Sequence, residues 1–547
     1  MSKAEQEPLL SGAGLRRGSL NALKEEYISP RPRNLGVCGA VASILNAVIG
    51  TGILALPVAF SQLGVGLASL TIVICAGVVL LSLVCLSEVV TKVGGTSYGH
   101  TMELTVGGWS GPFISVIVGA FTFGVCVVYS VVISSNLRDL FFDQGWITTP
   151  IIPPPAGDVL DNRRIWVLAS SIGVITPLCL LPNFDKLKYV ATFAASSMIY
   201  LAGVIAVYLF VSASRGDVPT WSAGIGQAPG APEGVMTPIG PRDARVTSPL
   251  LHPDICCVPM YTASDGVPGC VEAVEDDPEG PCCVAVAPEV CCTTEQQDRG
   301  VVQWEAAEGF ILNSDIFVSF STFLFAFLTH TMIPQVVVEL IEPSTRRLTY
   351  TMAGVAGGSL ALYYVVGLTG YLLFSNCVCD NISLSFGSSN FVAVGQLFVV
   401  LSVCCGYPTV CWPCRDALLE LTYPLFLKIT KSSPREPSML LKRCTAIFIV
   451  ATGSTIAWFD PPFGTVLALL GAVGGGLCGF VMPSLSYMMI YHPEKSLTQQ
   501  ILCTRPGWCF IASCIFFFVN TFFVIYNEIF VDANPGDGAN RACAPLE

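Results

Sequence analysis

Stretches of roughly twenty apolar residues recur along this chain, and nothing else constrains its fold as tightly. A bilayer core about 30 Å thick takes about 20 helical residues per crossing. Eleven windows of that kind can be read: 36–60, 66–87, 113–136, 165–182, 188–212, 311–333, 349–374, 391–414, 441–458, 463–491 and 506–528. Only helices and closed barrels satisfy the backbone in lipid, and the alternating pattern of a barrel is absent. The expectation is an all-α integral membrane protein of eleven transmembrane helices. Composition agrees, since charged residues make up 12% of the chain against about 25% in soluble domains. A large water-facing fold is excluded. The first window follows a 35-residue polar head and lacks a small-residue cleavage pattern, so it reads as a span and not a signal peptide.

Lys and Arg set the orientation. With the N-terminus in the cytoplasm, the connections on that side, counted with the basic residues at span ends, hold 19 of the 27 Lys and Arg. The other side holds 8, and Arg215, Arg242, Arg245 and Arg299 of these lie in one long loop that counts little for the rule. The organisation expected is a cytoplasmic tail over 1–35, a transmembrane domain over 36–528 interrupted by loop 213–306, and an outer tail over 529–547. The sequon Asn381-Ile382-Ser383 falls on the outer side and is the candidate glycosylation site. In the head, Glu5-Gln-Glu-Pro-Leu9-Leu10 fits an acidic dileucine pattern for endosomal, lysosomal or vacuolar sorting. Arg16-Arg17-Gly-Ser19 fits a basophilic kinase site.

The formal charge of −12 and pI near 4.9 argue against a nucleic-acid partner. That acidity is local. Loop 213–306 carries 14 Asp and Glu against 4 Arg, a net of −10, which leaves −2 for the rest of the chain. The same loop holds Cys256, Cys257, Cys270, Cys282, Cys283, Cys291 and Cys292 on the oxidising side, with Cys377, Cys379 and Cys543 as further partners. Disulfides are the expectation there; a metal site would want His at ligand spacing, and only His252 is near.

Chemistry concentrates in the first window, Ser43-Ile-Leu-Asn46-Ala-Val-Ile-Gly50-Thr51-Gly52-Ile-Leu-Ala-Leu-Pro57. Two glycines, a Thr and an Asn sit near mid-span, where freed backbone groups must find other partners. Backbone N–H groups of Gly50, Thr51 and Gly52 suit an anionic carboxylate, while carbonyls and the Asn46 amide suit a cation. Asn46 and Gly50 share one helix face. A glycine-mediated helix crossing is the structural alternative, and Asn46 and Pro57 favour a site.

This segment resembles the first-helix signature of the amino acid/auxin permease family, which includes sodium-coupled neutral amino acid transporters, proton-coupled amino acid transporters and the vesicular GABA transporter. Four more stretches agree in order: Gly95-Thr-Ser-Tyr98-Gly, Phe325-Ala-Phe-Leu-Thr-His330, Pro408-Thr-Val-Cys-Trp-Pro413-Cys-Arg415, and Gly471-Ala-Val-Gly-Gly-Gly-Leu-Cys-Gly-Phe-Val-Met-Pro483. The resemblance implies the inverted 5+5 repeat of the bacterial leucine transporter plus one extra helix, with substrate between broken helices one and six. Helix six here has no central glycine, so its break is expected to rest on Ser321, Thr322 and the segment His330–Pro334.

In the sodium-coupled branch of that family, an Asn in helix one and a Thr in helix eight are implicated in the ion site. Asn46 matches the first. The second position falls on Cys404 or Gly406, with Ser402 a half-turn earlier as an oxygen donor; cysteine is a poor ligand for a hard cation. Asn46 and Ser402 are therefore the candidate sodium ligands, and a proton gradient stays open as the alternative. His330, the one histidine inside a span, is a candidate proton carrier or a packed hydrogen-bonding residue toward the cytoplasmic end. Glu88 and Asp315 read as interfacial charges.

No acidic residue lies near mid-span, and an unpaired charge there costs at least ~2.5 kcal/mol. Small neutral amino acids are thus the expected substrate, with Phe325 and Phe327 as wall residues; a lipid-facing position is the alternative for each. The function expected is secondary active transport coupled to sodium or protons, in the plasma membrane or an endolysosomal or vacuolar membrane. No enzyme motif is present. The competing class is an amino acid sensor that keeps the transporter fold. A channel would need charged rings or filter loops, and neither is visible.

Overall fold

The computed structural model of the chain describes residues 36–95, 97–141, 162–180, 187–215, 222–226, 308–311, 315–374, 378–386, 389–430, 437–491 and 495–527. The N-terminal tail with its sorting and kinase patterns, the cysteines of loop 213–306, His252, Cys377, His492 and the C-terminal tail with Cys543 lie outside the described residues.

The described residues form a helical membrane bundle. Helix α1 (Val37–Val48) ends at the first glycine of the Gly-Thr-Gly trio, and a 3-10 turn over Thr51–Ala55 leads into α2 (Leu56–Val93). Pro57 sits in the first turn of α2, where a missing N–H costs nothing. Within α2, Gly64 adopts φ 72 and ψ 164, so two helices meet there across a kink; glycine alone takes that conformation freely. Gly94 stops α2 at φ 70, and Ser97 caps α3 (Tyr98–Val106) by accepting from the His100 N–H. The Gly-Thr-Ser-Tyr-Gly stretch thus follows the stop signal at Gly94 and contains the start signal at Ser97. Helix α4 (Ser110–Phe141) follows, then α5 (Arg163–Ser170), a π segment over Ser171–Ile175, α6 (Thr176–Cys179) and α7 (Leu187–Arg215). Strands β1 (Ser222–Gly226) and β2 (Glu308–Ile311) pair in parallel, Ile225 opposite Phe310.

The second half runs through α8 (Asp315–Phe327), a 3-10 turn over His330–Met332, α9 (Ile333–Glu339), α10 (Thr345–Phe374) and a 3-10 turn over Ile382–Leu384. It continues with α11 (Asn390–Thr430), α12 (Met439–Trp458), α13 (Phe463–Leu470), a π segment over Gly471–Val481, α14 (Met482–Tyr491), α15 (Leu497–Cys503) and α16 (Arg505–Tyr526).

Among the described residues, eight helical stretches are long and apolar enough to cross a membrane: Thr51–Val93, Ser110–Phe141, Asp315–Glu339, Thr345–Phe374, Asn390–Tyr423, Met439–Trp458, Phe463–Tyr491 and Arg505–Tyr526. The eleven windows do not map onto these one to one. Windows one and two share the stretch Thr51–Val93, and window four is cut into short pieces around the π segment at 171–175. Of window five, Ser196–Val211 is a shorter apolar helix. Large apolar side chains such as Phe210, Ile172 and Phe518 stand out on the bundle's exterior, as they must where the solvent is lipid tails.

The break in helix six falls beside the His330–Pro334 segment and not at Ser321 and Thr322. Ser321 and Thr322 lie within α8, their hydroxyls donating to the Phe317 and Val318 carbonyls one turn back. The helix opens at Leu328 and Thr329, directly before the His330–Pro334 segment. A polar residue bonded within its own turn leaves the helical ladder whole, whereas Pro334 supplies no N–H to it.

Candidate functional site

The two breaks face each other. Gly52 has no room for a side chain, because a Cβ there would stand 2.9 Å from the Ala326 Cα and 3.2 Å from the Phe325 ring. The first turn after break one is therefore packed backbone to backbone on the last turn of α8. Tyr363 of α10 joins them: its buried hydroxyl lies 2.9 Å from the Val48 carbonyl at the end of α1 and 2.9 Å from the Ala326 carbonyl near the end of α8. Both are last-turn carbonyls with no helical N–H to accept. Thr51 is buried with no hydrogen-bond partner for its hydroxyl, and Thr329 is in the same state at the other break.

Phe325 and Phe327 are both buried, at 8% and 2% exposure, so neither faces lipid. Phe325 packs toward Phe121 of α4, and the Phe327 ring meets the Tyr363 ring edge-on at 5.1 Å between centroids. The Tyr129 hydroxyl of α4 lies 3.6 Å from where a Gly50 Cβ would be, and the same ring lies 3.4 Å from the corresponding point at Gly406 of α11. Tyr129 thus spans from break one to α11. Ser402 is buried one helical turn before Gly406, and Cys404 is buried beside it. Asn46 lies in the last turn of α1, its side chain outside the described residues.

His330 is wholly buried and stands nearer the middle of its span than the Glu339 end. The stretch Asp315–Glu339 has 25 residues, so Phe327 is central and His330 lies one turn beyond. Its Nε2 is 3.2 Å from the Ser82 hydroxyl, which bonds the Gly479 carbonyl. The Tyr98 hydroxyl donates to the neighbouring Cys478 carbonyl at 2.7 Å. A π segment spaces its hydrogen bonds one residue wider than an α-helix and leaves carbonyls to other partners. Two of these are supplied here by Ser82 and Tyr98. The glycines of that segment let other helices approach: Cβ atoms at Gly471 and Gly475 would overlap the Ser321 backbone and the Leu324 side chain of α8. Glu88 accepts from the Tyr491 hydroxyl at 2.8 Å, with the Lys92 ammonium 3.4 Å above that ring, as an interfacial group does.

The sequon asparagine does not meet the expectation of glycosylation. Asn381 is 4% exposed and its Nδ2 is buried, while its Oδ1 accepts from the Ser383 N–H and hydroxyl. Ser383 also bonds Asn136 of α4, and Gln396 of α11 donates to the Ser383 carbonyl and to Asp139. The turn over 382–384 is thereby wedged between α4 and α11, and a glycan would have to push them apart. Treating the full-length protein with a glycosidase is expected to leave its gel mobility unchanged; a downward shift that Asn381→Gln abolishes would contradict this packing. Cys379, in the same connection, is in a disulfide whose other half lies outside the described residues.

Tyr129, Tyr363 and Ser82 were not candidates on sequence grounds. The available signal was a tyrosine inside an apolar span, which must find a partner for its hydroxyl. Among the described residues no group of three or more His, Cys, Asp or Glu could hold a metal ion.

Comparison with known proteins identifies the family. Residues 33–228 and 267–526 match the family model described as transmembrane amino acid transporter protein. The sodium-coupled neutral amino acid transporter 4 of Rattus norvegicus is 23% identical over 549 residues, covering 97% of this chain and 91% of its own length. The vacuolar amino acid transporter 5 of Schizosaccharomyces pombe is 21% identical, with 86% of this chain and 89% of that protein covered. A solved transporter of the nucleobase–cation symport family, with bromovinylhydantoin bound, aligns at 12% identity and a TM-score of 0.45 over 94% of this chain and 96% of its own.

Proposed function

The chain belongs to the transmembrane amino acid transporter family, and from that premise we propose that it moves small neutral amino acids across a membrane by alternating access, driven by a sodium or proton gradient. The observation that carries the proposal is the meeting of two broken helices at Gly52, Ala326 and Tyr363. Membership makes the chain a transporter and not an enzyme.

In this reading the chain crosses the membrane eleven times from a cytoplasmic N-terminus, with spans one to five and six to ten forming inverted repeats and α16 outside them. Length supports separate crossings for windows one and two: the 38 residues of α2 would run about 57 Å as one helix, far more than a ~30 Å core. The kink at Gly64 supplies the turn.

The substrate carboxylate is held by backbone N–H groups of Gly50, Thr51 and Gly52 with the unpaired Thr51 hydroxyl beside them, which suits an anion at the start of a helical segment. Phe325 and Phe327 wall the side-chain space and limit its size. The nearest buried carboxylate on α4, Asp139, stands ten residues beyond Tyr129, about 15 Å along the helix, and Gln396 binds it. The segments at the breaks, 51–55 and 328–332, carry no carboxylate to pair a cationic side chain, which favours neutral substrates. Asn46 and Ser402 supply oxygens for a coupling sodium, and His330 is the group for a proton. The membrane is the plasma membrane or an endolysosomal or vacuolar one.

Purified protein in proteoliposomes tests the coupling. With sodium replaced by choline and pH varied separately, flux should follow one gradient. If the ion is sodium, Asn46→Ala is expected to raise its half-maximal concentration about tenfold, the loss of roughly 1.4 kcal/mol of binding. An unchanged sodium dependence would remove Asn46 from the ion site.

A further inference from the structure

The Tyr363 hydroxyl has one hydrogen and two acceptors. It lies 2.9 Å from both the Val48 and the Ala326 carbonyl, and a phenol can donate one proton. These carbonyls end two separate half-helices whose dipoles both point their negative ends at the same place. No basic side chain lies in the last turn of α1 or α8 to offset them. Three further hydroxyls, Thr51, Thr329 and Ser359, are at least nine-tenths buried without hydrogen-bond partners. They lie three residues from Val48, three from Ala326 and four from Tyr363. A single phenol proton is therefore shared between two carbonyls where the three segments meet, and paired half-helix ends of this kind are the chemistry that holds small cations in broken-helix transporters.

We propose that the Tyr363 hydroxyl occupies the place between the two half-helix ends that a coupling cation would otherwise take, and so removes one cation site from this transporter. The inference rests on the reading of the chain as an ion-driven transporter. A neutral donor fixed to α10 bridges the two carbonyls whenever α1 and α8 face each other, so no cation is required to hold them together. Sodium, if it drives transport, then binds elsewhere, through Asn46 and Ser402, and contributes one site rather than two. With the hydroxyl removed and the ring kept, the oxygens are left facing each other across a gap of about one atom, and a sodium ion becomes their natural partner.

Thermal unfolding of the full-length protein in detergent tests this, in sodium chloride and in choline chloride at equal ionic strength. Tyr363→Phe should melt below the wild type in choline. It should then gain a saturable, sodium-specific upward shift at least about 2 °C larger than any sodium shift of the wild type. Tyr364→Phe, which removes the neighbouring phenol hydroxyl that accepts from Ser69 and leaves Tyr363 intact, should show the wild-type sodium response. Equal sodium shifts in Tyr363→Phe and wild type would overturn the proposal. If Tyr363→Phe is recovered from membranes in neither salt, Tyr363→Leu, which adds no oxygen, decides in the same way: a sodium shift larger than wild type supports the proposal, an equal one refutes it. The readout involves no flux, so it stands whether or not the chain proves to carry amino acids.

Discussion

Gly52→Ala is expected to lower amino acid uptake at least tenfold. A single methyl at this position meets the Ala326 Cα at 2.9 Å and the Ala326 Cβ at 3.1 Å. Backbone cannot rotate aside as a long side chain can, so the methyl pushes the turn after break one off the end of α8. Overpacking of this kind costs typically about 1–3 kcal/mol, and each ~1.4 kcal/mol taken from the transport-competent arrangement is a factor of ten in rate. The displaced groups are also those that hold the substrate carboxylate in the proposed site, so the effect falls on uptake more than on folding. Gly77→Ala is the matched comparison, since a Cβ there meets nothing within 4 Å, and it should transport like the wild type. Uptake is measured per molecule at the membrane surface. Wild-type uptake by surface-expressed Gly52→Ala would show that the two breaks do not need this contact.

Gly471→Ala should be at least as damaging, through a different contact. Its Cβ would fall on the carbonyl of Ser321 and 3.2 Å from the Phe325 Cβ. Ser321 has little freedom to yield, because its hydroxyl accepts from the Asn520 side chain of α16 at 2.7 Å. Stacked rings of Phe317 and Phe523 fix the same helix pair, with centroids 4.4 Å apart. The half-helix α8 is therefore gripped between the glycine-rich π segment and α16, and a methyl at Gly471 must displace Phe325 or break that grip. Loss of most folded protein, or folded protein with at least tenfold lower uptake, is expected. Gly173→Ala, on the π segment at 171–175 with nothing within 4 Å, serves as the matched comparison. Normal yield and normal flux from Gly471→Ala would mean that α8 is held by something other than this packing.

The break in the first helix was legible in the sequence because its cause is local. Two glycines beside a Thr at mid-span end a helix wherever the bundle lets them, and α1 stops at Val48 as expected. The break in helix six was legible at the His330–Pro334 segment, but Ser321 and Thr322 were wrongly included because α8 contains no glycine to mark the place. Its opening at Leu328 and Thr329 depends on Pro334 downstream and on the Gly479 and Ser82 surroundings of His330. Tyr363 could not be assigned from its own neighbourhood, since its hydroxyl reaches carbonyls 315 and 37 residues away. The sequon failed for the same reason. Asn381-Ile382-Ser383 fits the pattern, but its fate is set by Asn136, Asp139 and Gln396 closing over it from two other helices. The glycine-rich stretch was visible as a motif, and only the packing of Ser321, Leu324 and Phe517 against it explains why side chains are absent there.

Counterflow in proteoliposomes addresses the central claim most directly. Vesicles loaded with unlabelled alanine and holding purified full-length protein are supplied with trace labelled alanine, and labelled lysine and glutamate are run in parallel. The geometry at the two breaks predicts transient accumulation of labelled alanine above equilibrium, abolished by Gly52→Ala, with no accumulation of lysine or glutamate. Accumulation of lysine in preference to alanine would contradict the neutral site, and alanine binding with no accumulation of any label would contradict transport itself.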